Sequence, residues 1–89
     1  MSIFIKDPDA VLDFSFDWTT WLDVAETIDD YTIDADTGIT VDSDGEVDGV
    51  VTVWLSGGTA GLTYAVRCEI DTTDSRTDER TIMIQVKER

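Results

Sequence analysis

Leu62-Thr63-Tyr64-Ala65-Val66-Arg67-Cys68-Glu69-Ile70-Asp71 and, after a polar break, Thr81-Ile82-Met83-Ile84-Gln85-Val86-Lys87 decide the fold class. In the first stretch Leu62, Tyr64, Val66, Cys68 and Ile70 alternate with Thr63, Ala65, Arg67, Glu69 and Asp71. In the second, Ile82, Ile84 and Val86 alternate with Thr81, Met83, Gln85 and Lys87. Successive side chains of a strand point to opposite faces, so both stretches read as long strands with one buried face. The connection Thr72-Thr73-Asp74-Ser75-Arg76-Thr77 is polar and of hairpin length, which predicts antiparallel pairing.

The same period recurs upstream. Leu12-Asp13-Phe14-Ser15-Phe16-Asp17-Trp18 alternates strictly, placing Trp18 on the core face. Tyr31-Thr32-Ile33-Asp34 and Ile39-Thr40-Val41-Asp42 predict two short strands on either side of Gly38. Val50-Val51-Thr52-Val53-Trp54-Leu55 is β-branched and apolar on both faces, as a strand covered on both sides or touching a partner would be. Trp54 is out of phase with Val53 and Leu55 and is expected on the outer surface. Only residues 18–27 break the period. Trp18, Trp21, Leu22 and Ala25 fall at three- and four-residue spacing, so this piece is either a short helical turn or an irregular crossover. Six or seven short strands predict an all-β antiparallel β-sandwich, with a closed barrel as the alternative. Gly57-Gly58-Thr59-Ala60-Gly61 before Leu62-x-Tyr64 suits a sandwich corner in which the tyrosine hydrogen-bonds back across the loop. No Lys-Ser or Lys-Thr follows these glycines, which argues against a phosphate-binding loop.

Composition narrows the chemistry. The chain has 89 residues, one small domain's length, and 42% of them are hydrophobic, too many for a disordered acidic tail. Its net charge is -14, and from Asp7 to Asp48 there are 14 acidic side chains and no basic one. Such a field repels phosphates, which argues against direct nucleic-acid binding and against an anionic membrane. It suits solubility, a basic protein partner or divalent cations. There is no histidine, and Cys68 is the only cysteine, which removes an internal disulfide, a CxxC site and the commonest general base and zinc ligand. On its apolar face Cys68 is expected as core filler. The opening residues lack a signal peptide's basic and apolar regions, and no run reaches membrane-spanning length, so synthesis in a cytoplasm without export is expected.

Few side chains could carry a site. Asp34-x-Asp36 and Asp42-x-Asp44-Gly45-Glu46 place carboxylates at alternate positions, making Asp34, Asp36, Asp42 and Asp44 partial calcium candidates. The helix-flanked loop of an EF-hand is absent from the pattern, and Asp and Gly also serve ordinary turns. Paired carboxylates suffice for glycoside hydrolysis, but a chain this small seldom encloses the needed cleft, so no catalytic residue and no cofactor is expected. Trp21 and Trp54 are the tryptophans best suited to a protein contact. Ile3-Phe4-Ile5, ahead of Pro8, reads as an extended arm able to add a strand to a neighbour's sheet, or as an ordinary first strand. Arg76, Arg80, Lys87 and Arg89 form a basic end on an acidic body; Arg76 and Arg80 are expected to meet the acidic flank of the next copy in a ring.

Val53-Trp54-Leu55-Ser56-Gly57-Gly58-Thr59-Ala60-Gly61-Leu62-Thr63-Tyr64, running on into Arg76-Thr77-Asp78-Glu79-Arg80-Thr81-Ile82, resembles the phage fiber-tail adaptor family, small immunoglobulin-like proteins of tailed bacteriophages. Lys6-Asp7-Pro8-Asp9-Ala10-Val11-Leu12-Asp13, with Asp17-Trp18 and Trp21-Leu22, is similar to that family's N-terminal signature; only residues 26–48 depart, by their acidity. The resemblance implies an immunoglobulin-like antiparallel β-sandwich; the residues suggest 1–10 as an N-terminal arm or first edge strand and 11–89 as the domain. The resemblance implies a non-enzymatic virion structural protein at the tail or head-tail junction, bound to other phage structural proteins, and the basic end against the acidic flank leads us to expect a homo-oligomeric ring. A capsid decoration protein is a second expectation. An acidic DNA mimic that inhibits a host defence enzyme, and a calcium-stabilised sugar-binding module, are readings of other classes.

Overall fold

The hairpin expected from the alternating stretches forms as β6 (Thr63–Thr72) and β7 (Thr77–Val86), antiparallel with Val66 opposite Ile82 and Tyr64 opposite Ile84. In this computed structural model, which describes residues 2–88, Ser75 takes a positive φ of 63° to close the turn. The other strands are β1 (Ser2–Lys6), β2 (Leu12–Asp17), β3 (Ile28–Ala35), β4 (Ile39–Val47) and β5 (Val50–Gly57). They form a sheet in the order β1-β7-β6-β3 facing a second in the order β2-β5-β4. Among the described residues there is no helix, and the molecule is a two-sheet sandwich.

Two pairings depart from the antiparallel expectation or refine it. β1 runs parallel to β7, Phe4 opposite Ile84, because the chain leaves β1 for the other sheet through residues 7–11 instead of turning back along its own edge. Thus Ile3-Phe4-Ile5 lies on the chain's own sheet, as its edge. β3 and β4 do not pair: β3 joins β6 and β4 joins β5, so the segment holding Gly38 carries the chain between sheets. β4 also runs on to Val47, past the expected end at Asp42.

The core lies between the sheets. Phe14, Phe16 and Trp18 come from β2 and its end, Val51, Val53 and Leu55 from β5, and Val66, Cys68, Ile70, Ile84 and Val86 from the hairpin. Burial pushes the Cys68 thiol up to about 11, so it stays protonated and packs as a small apolar group. Each strand's outward residues take the other phase, so Trp54 faces solvent as its phase requires.

The tyrosine corner is present. Tyr64 is buried and its hydroxyl accepts the Thr59 amide at 2.9 Å. Its ring is wedged between two glycines at positive φ: a Cβ on Gly38 would come within 2.9 Å of the ring, and one on Gly58 within 2.7 Å of Val86 and 3.4 Å of the ring. Tyr64→Phe keeps the ring but strands the Thr59 N–H. It is expected to lower unfolding free energy by about 1 kcal/mol in chemical denaturation, and an unchanged midpoint would show the hydroxyl to be idle.

Lys6 is the unexpected core residue. It sits at the inward end of β1 with no exposed surface, and its Nζ donates to the carbonyls of Asp7 at 2.9 Å and Gly57 at 2.8 Å. The ammonium thereby ties the edge of one sheet to the end of β5 in the other, its charge met by oriented carbonyl dipoles.

Candidate functional site

Residues 18–27 cross from β2 to β3 and assemble the densest polar cluster. The Trp21 and Leu22 amides both donate to the Trp18 carbonyl at 3.0 Å, one tight turn that brings the two indoles edge to face at 5.5 Å. The hairpin caps both rings. The Arg80 guanidinium lies 4.2 Å over Trp18 and donates to the Asp17 carbonyl at 2.6 Å, while Arg76 lies 3.9 Å over Trp21 and donates to the Trp21 carbonyl at 3.2 Å. Beneath Arg76 is Glu26, whose side chain is fully buried. Its carboxylate accepts from Arg76 Nε at 2.9 Å and again from Nη2, from Thr72 Oγ1 at 2.5 Å and from the Asp23 amide at 2.9 Å.

Each Glu26 oxygen therefore meets a donor, and the carboxyl is held down to about 2 from an ordinary 4.5. The Arg76 hydrogen bonds contribute most and Thr72 and Asp23 add to them, against the opposing effect of burial. The folded chain binds this proton less readily than the unfolded chain does. The stability so gained is complete above about pH 4.5 and is lost as pH falls toward about 2. Urea midpoints measured across that range should fall more steeply for the parent than for Glu26→Gln; parallel profiles would contradict the assignment.

Arg76 and Arg80, expected to reach a neighbouring copy, also make contacts within the chain, and Trp21 is half-buried under Arg76. Arg76 and Glu26 stand 50 residues apart and meet only once the hairpin folds over the crossover. A charge reversal at Arg76 thus disturbs the fold before it tests any assembly.

The calcium candidates are dispersed. Asp34 and Asp36 both grip Arg67, at 3.2 and 3.0 Å, and Asp36 also accepts the Ala65 amide, which with Arg67 holds its carboxyl below the usual range. Asp42 accepts from Ser56 Oγ at 3.0 Å, and Asp44 from the Tyr31 hydroxyl at 2.6 Å across the open β3/β4 side. That bond pushes the Tyr31 phenol up to about 12. Among the described residues the three carboxylates brought together are Asp23, Glu26 and Asp74, where the Arg76 guanidinium already supplies the positive charge.

Both outer faces carry carboxylates, Asp34, Glu69, Asp71 and Glu79 among them on the four-stranded sheet, and each has its own exposed apolar patch. On the four-stranded sheet, Ile3 and Ile5 of β1 point outward beside Met83 of β7, at 67% and 43% exposure, while Phe4 turns inward onto Phe14 with ring centroids 5.2 Å apart. The outer face of the three-stranded sheet carries Asp13 and Asp17, with Asp42 bonded to the outward Ser56, and no Lys or Arg; Asp44 and Glu46 take the inward phase, opposite Val53 and Val51. At its centre Trp54 is 43% exposed, paired with Asp13 on one side and Ser43 on the other. Trp54 was legible in the sequence by phase, and Ile3-Phe4-Ile5 only as an arm or first strand. Lys6 and Glu26, which organise the interior, were not, since a single charged residue gives no sign of a partner far along the chain.

Among the described residues the polar clusters link elements of the fold, and the exposed apolar groups lie on open sheet faces. In the family comparison, residues 6–85 match the model described as Podophage GP4 fiber-tail adaptor protein gp77. That span covers both the crossover latch and the tyrosine corner. Comparison with curated proteins returns no match. The chain therefore belongs to the podophage fiber-tail adaptor family, a structural family of the phage tail, and is a virion component.

Proposed function

We propose that the protein joins neighbouring tail, connector or fiber proteins by presenting a different surface to each. The observation that carries this reading is the difference between two exposed patches on opposite faces: an aliphatic one at Ile3, Ile5 and Met83, and at Trp54 an indole with Asp13 opposite it and Asp42 nearby, on a sheet that has no cation. Two unlike patches can hold two unlike partners, and at a net charge of -14 copies of the chain repel one another, which favours partners of other kinds. Repeated copies around the tail axis are then held through shared partners, with no nucleic acid bound directly. The chain is made in the host cytoplasm and acts in the particle without catalysis.

Quantitative mass spectrometry of purified particles separated into heads and tails tests this reading. The expected result is recovery with tails, at a copy number that is a multiple of the tail's rotational symmetry. Recovery with heads in hundreds of copies would instead make it a decoration protein.

A further inference from the structure

Two of the three tryptophans carry an arginine of the same chain over the ring, and the contacts of this kind among the described residues are those at Trp18 and Trp21. Trp54 is the third and the most exposed. Asp13 stands opposite it on β2. On β4 a register shift puts Ser43 opposite it and sets Asp42 beside Ser56, two residues along β5 on the same face. An indole face with carboxylates on both flanks is the environment a guanidinium prefers.

The neighbouring strand has been kept clear. Gly45 lies inside β4, outside the positive-φ region, and a Cβ built on it would meet nothing within 4 Å. Neither backbone conformation nor close packing within the chain requires glycine there, although glycine weakens a strand. Its effect is a shallow recess, lined by Ser43, Gly45, Val47, Val50, Thr52 and Trp54. The recess adjoins the indole and leaves room for the stem of a long side chain.

We infer that the Trp54 face of the β2-β5-β4 sheet docks an arginine-bearing segment of a partner protein, the guanidinium lying over the indole between Asp13 and Asp42 and its stem crossing Gly45. Charge selects the occupant. The three-stranded sheet has no cation, and among the described residues a second copy offers no arginine clear of its own chain: Lys6 is buried, Arg67, Arg76 and Arg80 are held by groups of their own chain, and the exposed Lys87 is an ammonium. That the partner is a tail protein rests on the adaptor reading; the chemistry of the site does not.

Titration with a hexa-arginine peptide at near-physiological salt, followed by the tryptophan indole N–H resonances, tests the site. The Trp54 signal should move while those of Trp18 and Trp21 stay. Hexa-lysine should bind about fivefold or more weakly. Trp54→Ala should weaken hexa-arginine binding by a similar factor, and so should Gly45→Val, which fills the recess with a residue that favours strands. Equal binding by the variants, equal binding of the two peptides, or a Trp54 shift produced by raising protein concentration alone would overturn the inference. Any of these results would leave recovery of the protein with tails untouched, and its absence from tails would leave the peptide result untouched.

Discussion

Trp18→Ala is expected to remove about 3–5 kcal/mol of stability, the range for truncating a buried tryptophan or phenylalanine. A domain of this size has about 5–13 kcal/mol in total. Trp18 has no exposed surface and sits at the end of β2, where the chain leaves one sheet for the other. Its ring meets Trp21 edge to face and carries Arg80, so truncation opens a cavity and uncaps the hairpin in one step. The indole Nε1 makes no hydrogen bond of good geometry, with Cys68 offering only a weak sulfur acceptor beside it, so Trp18→Phe should cost much less than the alanine change. Thermal and urea unfolding of the two variants measure this. Similar losses for both would place the stabilisation in some group other than the ring's bulk.

Arg76→Glu is expected to be the most damaging exposed-side substitution. It sets a second carboxylate against the buried Glu26, beside Asp23, and removes the cation from the Trp21 face. Breaking such a pair leaves a buried charge without compensation, a heavier penalty than losing a surface ion pair. The β circular-dichroism signal should be weak or absent at neutral pH and should recover partly on mild acidification, which protonates the added carboxylate along with its neighbours. Exchanging the two residues, Glu26→Arg with Arg76→Glu, should restore part of the lost stability. No rescue by exchange would argue that bulk, and not charge, decides this position.

Residues differ in how far the sequence revealed them, and the difference is one of range. Strand phase is local. The alternation in β2, β6 and β7 placed Phe14, Phe16, Val66 and Ile84 inside, the phase of β5 placed Trp54 outside, and the short step from the glycine cluster to Tyr64 disclosed the corner. Strand partnership is not local. Nothing between Ser2 and Lys6 says that β1 will lie parallel to β7, since that outcome depends on which sheet receives the chain after Pro8. The acidic run after Val41 looked like turn chemistry, yet it continues as the edge strand β4, where both faces can meet water and the period-two signal fades. Arg76 and Arg80 were visible as a basic end. Their contacts within the chain, with Glu26 and Trp18, lie across the fold and were not visible.

A cryo-EM map of the purified phage tail is the most direct measurement of whether this sandwich joins unlike neighbours by its opposite faces. The account predicts seven-stranded density touching one tail protein at Ile3 and Ile5 and a different one at Trp54. A map in which both neighbours meet the same face, or in which no such density occupies the tail, would contradict it.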